Sequence, residues 1–291
     1  MDARSPILNV SALSVSVPEK LRIGGGQGDL RLVDGVSFQI RSGERLALVG
    51  ESGSGKSMTA RALMQLDRDV VLKGSVCWDG TELLGAAPRR LREIRGAEIS
   101  MLFQDPMTAL NPVLTIGEQV AEPLLVRGVS KKNAYRKAAQ ILDRLHVPKA
   151  KERLRAYPGQ FSGGMRQRVV MAAALVAEPK LLIADEPTTA LDVRVQEQVL
   201  DLIEEQSREL NLAVLFITHD LATVAGLAQS VVVMHHGKFV EQQNVDDLFS
   251  KPQHPYTRGL LASVPRLDAD PNRRLLTVED YMANHGGESL G

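Results

Sequence analysis

Residues Gly50 to Ser57 read Gly-Glu-Ser-Gly-Ser-Gly-Lys-Ser and fill the pattern G-x-x-x-x-G-K-[ST] at every fixed position. That spacing suits a loop that wraps a phosphate chain with backbone N–H groups. Gly50, Gly53 and Gly55 let the backbone curl and approach phosphates with no Cβ in the way, and Glu51, Ser52 and Ser54 complete the cradle. In such a loop Lys56 reaches the β- and γ-phosphates as a point charge, and the Ser57 hydroxyl is placed for Mg²⁺.

A second group is Leu181-Leu182-Ile183-Ala184-Asp185-Glu186-Pro187. An apolar strand that ends in two acids puts carboxylates at the carboxyl edge of a parallel sheet, where open α/β folds bind ligands. Asp185 suits holding Mg²⁺, directly or through water. Glu186 suits polarising an attacking water as a general base. A charged strand exit into solvent is the bland reading, and the phosphate loop upstream favours the chemical one.

These residues need strands and helices to position them. Arg45 to Val49 is a short apolar run suited to a buried strand entering the loop, and Met58 to Leu66 follows as a helix whose N-terminus faces the anion. Ile7 to Val17, which alternates only in part, and Leu30 to Ile40 read as strands of a hairpin with its tip in Gly24 to Asp29. Gly74 to Trp78 reads as another strand before the Asp79-Gly80 turn. Thr115 to Arg127, Lys131 to Leu145 and Ser162 to Ala177 read as helices, so the middle of the chain is helix-rich. Leu181 to Ala184 and Ala213 to Thr218 are continuous apolar runs, as in parallel strands covered on both faces. Val195, Val199, Leu202 and Ile203 form a one-sided helical stripe between them, and Ser230 to Met234 is a further strand.

Composition narrows the function classes. Lys+Arg and Asp+Glu each total 35, so the formal net charge is zero. That argues against a nucleic-acid binder, which usually carries a basic excess. Cys77 is the only cysteine, which excludes an internal disulfide and a cysteine-only metal cluster and fits a reduced compartment. The longest apolar stretch, near Val169 to Ala177, is far too short to span a bilayer.

A third group selects a family. Phe161-Ser162-Gly163-Gly164-Met165-Arg166-Gln167-Arg168 resembles the signature sequence of ATP-binding-cassette ATPases, usually written Leu-Ser-Gly-Gly-Gln. A serine and two glycines at a helix start can offer a hydroxyl and free N–H groups to a phosphate; without the other motifs they are an ordinary helix cap. The departures at Phe161 and Met165 resemble the branch that serves oligopeptide, dipeptide and nickel importers. The other landmarks of that family follow in order over about residues 7 to 250. Gln104 matches the Q-loop glutamine, which can reach Mg²⁺ or the attacking water. Ala190-Leu191-Asp192 matches the D-loop, and His219 matches the switch histidine that contacts the γ-phosphate. His235 and His236, before Gly237 in a turn, receive no role. One family feature is missing: no aromatic residue precedes Phe38, and Val17 stands where adenine is usually stacked. Lys251 to Arg258 resembles the His-Pro-Tyr segment that follows the cassette in oligopeptide, dipeptide and nickel import ATPases.

The resemblance implies an α/β fold: a P-loop NTPase (RecA-like) core with an antiparallel β subdomain and an inserted α-helical signature subdomain at about 105–178. The ATPase domain would span 1–250 and an importer-type tail 251–291. It implies an ATPase that uses ATP and Mg²⁺ to drive solute import, with peptides as the first choice of cargo and nickel, glutathione or opines as the second. Glu186, His219 and Gln104 would be catalytic. Gly50 to Ser57 and Ser162 to Gly164 would bind nucleotide. Ser57, Gln104 and Asp185 would hold the metal. The implied partners are a second ATPase subunit, identical or different, two membrane-spanning permease subunits and an extracytoplasmic solute-binding protein. The chain would sit peripherally on the cytoplasmic face of the bacterial inner membrane, docked through residues such as Met107, Leu110 and Val113. A non-transport cassette ATPase acting on DNA or ribosomes is the alternative; a second cassette, a long coiled coil or zinc cysteines would mark it, and none occurs here.

Overall fold

The computed structural model describes residues 5–21, 28–103, 109–188, 193–263, 278 and 281, with the side chains of 193–195 left aside. The elements in chain order are β1 (Leu8–Val17), β2 (Leu30–Ile40), β3 (Arg45–Val49), α1 (Lys56–Leu63), β4 (Val71–Trp78), β5 (Thr81–Glu82), α2 (Pro88–Ile94), β6 (Ile99–Leu102), α3 (Ile116–Val126), α4 (Lys131–Arg144) and α5 (Ala150–Arg153). They continue with α6 (Gly163–Leu175), β7 (Leu181–Asp185), α7 (Val193–Leu210), β8 (Ala213–Thr218), α8 (Leu221–Leu227), β9 (Ser230–His235), β10 (Lys238–Asn244), α9 (Val245–Ser250) and α10 (Pro255–Ala262).

The chain divides into two compact units. One, the loop unit, comprises Ser5–Ile40, Glu44–Leu84 and the chain from Phe216 onward; the other, the helical unit, comprises Arg41–Gly43 and Gly85–Leu215. In the loop unit β2-β1-β4-β5 form an antiparallel sheet. The partial alternation of β1 has a structural cause. Leu8 and Val10 are buried, then the inward face passes to Leu13 and Val15. Ala12, at φ 48°, and Gly35, at φ 64°, bracket this shift in register. The bulge amides are satisfied by side chains: the Ala12 N–H donates to Ser37 Oγ at 2.8 Å and the Gly35 N–H to Ser14 Oγ at 2.9 Å. A bulge of this kind inverts side-chain phase and so hides a strand's period.

The same unit holds β3, which pairs in parallel with β9, and β9 pairs with β10 in antiparallel register. His235 lies opposite Lys238, and His236 (φ 46°) and Gly237 (φ 79°) form the two-residue turn between them. Positive φ at both turn residues is what a tight hairpin with right-twisted strands requires.

In the helical unit β6 and β7 pair in parallel, Ile99 opposite Leu181 through Leu102 opposite Ala184. All five residues of β7 are buried, as expected for a strand covered on both faces. Helices α3, α4 and α6 pack together, with Ile116, Val120, Leu124, Ala134, Ala138, Leu142, Val169 and Ala172 inside. Thr115 and Glu118 form a reciprocal capping box that starts α3, satisfying two helix-end amides at once.

Candidate functional site

In the loop unit, β3 delivers the chain into the glycine loop, and α1 leaves it. Gly55 is the N-cap of α1 at φ 106°, with no side chain capping the helix. A Cβ there would lie 2.7 Å from the Leu32 carbonyl oxygen and 2.8 Å from Met234 Cε, so the left-handed turn and the close packing both demand glycine. Glu51, Ser52 and Gly53 are exposed, whereas Ser54 and Lys56 are buried at 5% and 4% exposure. The Lys56 ammonium donates to the carbonyl oxygens of Gly50 at 2.7 Å and Glu51 at 2.8 Å. The loop therefore offers an uncapped helix N-terminus and a buried cation folded over its rim. Both favour an anion, and a phosphate chain fits them. Ser57, half-buried, starts the first turn of α1 beside Lys56. His219 follows β8 in this unit and is exposed; Asp220 next to it caps α8 by accepting from the Ala222 N–H at 2.9 Å. Val17 is half-buried at the end of β1.

In the helical unit, β7 ends in Asp185, 4% exposed, and Glu186 follows half-buried at φ 47°. A left-handed glutamate costs of order 1 kcal/mol or more, a strain that surrounding structure must hold. Part of that hold is visible: buried Gln167, from α6, donates through Nε2 to the Pro187 carbonyl oxygen at 2.8 Å. Ser162 is the N-cap of α6, and its Oγ accepts from the Met165 N–H at 3.4 Å. Ser162 and Gly163 are exposed and Gly164 is half-exposed. The cap satisfies the third helical amide and leaves those of Gly163 and Gly164 without an intrahelical partner, as helix geometry dictates. The loop before the serine is fixed from both sides. Arg166 Nε donates to the carbonyl oxygens of Pro158 at 2.9 Å and Phe161 at 3.1 Å, and the Arg153 guanidinium lies 5.0 Å from the centroid of the buried Phe161 ring. Gln104, Met107 and Ala190 to Asp192 lie outside the described residues.

Among the described residues no group of three or more His, Cys, Asp or Glu side chains is arranged to hold a metal ion. The expected donors are one hydroxyl, one carboxylate and one amide. Such a set suits Mg²⁺, which keeps waters and takes its remaining oxygens from substrate phosphates. A cavity of about 840 Å³ between α4 and α5, lined by Lys132, Tyr135, Arg136 and Asp143, includes none of the motif residues.

Two residues lie inside segments quoted above, but their contacts escape sequence reasoning. One is Gln167, whose amide ties α6 to the turn after Glu186. The other is Tyr256, fully buried, whose hydroxyl accepts from the Glu51 N–H at 3.0 Å. His235, left without a role above, stacks on the Tyr256 ring with centroids 3.9 Å apart.

Comparison with known proteins gives a consistent picture. Residues 33–189 match the family model described as ABC transporter, and residues 240–286 match the one described as oligopeptide/dipeptide transporter, C-terminal region. The chain is 48% identical over 276 residues to the oligopeptide transport ATP-binding protein OppD of Escherichia coli, covering 94% of this chain and 79% of that protein. It is 51% identical over 245 residues to the dipeptide transport ATP-binding protein DppD of Bacillus subtilis, covering 83% and 73%. Among solved structures it is similar to a dimeric ATP-binding cassette in a post-hydrolysis state bound to ADP and Pi. The TM-score there is 0.70 at 25% identity, over 82% of this chain and 98% of that one.

Proposed function

The chain belongs to the ABC transporter family, and from that premise we propose that it is the ATP-hydrolysing, energy-coupling subunit of a peptide importer. The α/β fold with a P-loop is that of the cassette ATPases, and the family binds ATP. One observation carries the peptide reading: residues 240–286 match the oligopeptide/dipeptide C-terminal region, beyond what a generic cassette contains.

In this mechanism the Gly50–Ser57 loop takes the phosphates, with Lys56 as the movable point charge. Ser57, Asp185 and Gln104 would hold Mg²⁺, which supplies charge neutralisation on the β- and γ-phosphates. Glu186 accepts a proton from the attacking water, and His219 orients the γ-phosphate. Ser162, Gly163 and Gly164 present a hydroxyl and two free amides to the nucleotide of a partner subunit, so two cassettes close around two nucleotides. The partner ATPase is a second copy or a similar chain. The pair works beneath two permease subunits fed by a solute-binding protein, on the cytoplasmic face of the inner membrane. Among the described residues no helix is long and apolar enough to cross a membrane; in this reading the crossing belongs to those partners.

The test is uptake. A strain lacking this chain should fail to accumulate labelled di- and oligopeptides. The parent gene should restore uptake and the Glu186→Gln variant should not. Normal peptide uptake with a loss of nickel, glutathione or opine uptake would move the cargo to the second choice. Unchanged transport of all of these would reject the importer reading.

A further inference from the structure

Tyr256 and Glu51 are 205 positions apart and meet twice. The Glu51 N–H donates to the Tyr256 hydroxyl oxygen at 3.0 Å, and that hydroxyl donates to Glu51 Oε2 at 3.2 Å. The other face of Glu51 is held too. Its carbonyl oxygen accepts from the Lys56 ammonium at 2.8 Å and from the Ser54 N–H at 3.2 Å. Glu51 is thus a node, with α10 on its amide and the loop's own cation on its carbonyl.

The segment that supplies Tyr256 is built to place it. The buried carboxylate of Glu241 accepts from the Gln253 N–H at 2.7 Å and the His254 N–H at 2.9 Å, fixing the entry to α10. His254 is the N-cap of α10, its Nδ1 accepting from the Tyr256 N–H at 3.2 Å, and Pro255 occupies the first helical turn. His235, at the end of the strand that pairs with β3, stacks on the tyrosine ring at an interplanar angle of 24°. Each of His254, Pro255 and Tyr256 therefore has a mechanical part in bringing one hydroxyl to the second residue of the glycine loop.

A loop whose later amides are reserved for phosphate must be held by something other than those amides. We propose that Tyr256 is a positioning residue for nucleotide: through Glu51 it fixes the entry of the phosphate loop and the carbonyl on which Lys56 rests, so that docking of α10 sets ATP affinity. This rests on the loop binding ATP, as argued above.

The experiment is an ATP titration of the full chain and of Tyr256→Phe, in which the ring and its stacking remain and only the hydroxyl goes. The expected result is ATP binding weakened roughly threefold to tenfold, the range for one lost net hydrogen bond. In the assembled transporter KM for ATP should rise by a similar factor with kcat unchanged. An ATP affinity within twofold of the parent overturns the proposal, whatever happens to thermal stability. Should the variant not fold, the parent decides. If α10 docking strengthens ATP binding, saturating ATP must strengthen α10 docking by the same factor, seen as slower amide exchange at 256–262. Unchanged exchange there overturns the proposal. A parent that binds no ATP would refute the reading of the loop itself; a parent that binds ATP as tightly as its variant would refute only the role of Tyr256.

Discussion

The ammonium of Lys56 donates to the carbonyl oxygen of Gly50, six residues back, at 2.7 Å. The side chain arches over its own loop and is held at 4% exposure by backbone acceptors. A phosphate reaching the loop would offer charged oxygens to a donor already waiting at the rim. Lys56→Ala should weaken ATP binding by about tenfold to a hundredfold, the scale of one or two hydrogen bonds to a charged group. Calorimetric titration checks it; unchanged affinity would contradict the assignment of the loop.

Glu186 holds a left-handed backbone at φ 47° directly after buried Asp185. Glu186→Gln keeps size and hydrogen bonding and removes the proposed base. ATP binding and ATP-driven pairing of subunits should survive, while turnover falls by roughly two orders of magnitude or more. Steady-state hydrolysis measured beside size-exclusion chromatography with ATP separates the two; parental turnover would remove Glu186 from the chemistry.

Ser162 caps α6 from an exposed position. Ser162→Arg should leave ATP binding to the isolated chain within about twofold and abolish ATP-driven pairing, since the cation would enter the partner's phosphate site. In a mixed dimer with Ser162→Arg in one subunit and Lys56→Ala in the other, both lesions should fall on one composite site. Damage at two separate sites would refute the shared geometry.

The docking expectation divides on the structure. Leu110 is 7% exposed and packs inside the helical unit, which corrects its place on a docking face, whereas Val113 is 75% exposed. Gln119 of α3 pins the loop that displays Val113: its Nε2 donates to the carbonyl oxygens of Asn111 and Leu114 at 3.0 Å, and its Oε1 accepts from the Asn111 N–H at 2.8 Å. Val113→Asp should release the ATPase from membranes that hold its permeases and leave ATP binding intact, as fractionation would show. Leu110→Asp should instead lower the melting temperature, because it buries a carboxylate.

Burial, with the Glu51 carboxylate beside it, pushes the Tyr256 hydroxyl up to about 12 from an ordinary 10.0. The folded state then holds this proton more tightly than the unfolded chain. Its contribution is complete below about pH 10 and is lost as pH rises toward 12. The melting temperature of the parent should fall more steeply across that window than that of Tyr256→Phe. Parallel curves would show that the hydroxyl does not titrate with unfolding.

Much of this arrangement is legible in sequence. β2 and β8 occupy the spans read for them as a returning hairpin strand and an apolar run, and α3, α4 and α6 fall within a residue or two of their predicted ends. Their signals are local, such as the continuous apolar run of β8. β10 escaped because Lys238 to Asn244 is mostly polar and takes its strand form from pairing with β9. α2, α8 and α9 are too short for a periodic signal. β1 looked irregular because a bulge at Ala12 changes which side chains face inward. The Tyr256–Glu51 contact could not be seen at all, since no local pattern encodes a meeting across 205 positions.

The bond from Gln167 to the Pro187 carbonyl oxygen has a consequence for timing. Within one chain it fastens the helix that presents Ser162 to the turn that carries Glu186. In the closed pair proposed above, those two residues would serve different nucleotides, one across the interface and one at home. A rearrangement of the acid at one nucleotide would then be handed by a single amide to the clasp on the other. The two hydrolysis events should keep step: ATP dependence of turnover should be sigmoidal in the parent and closer to hyperbolic in Gln167→Leu.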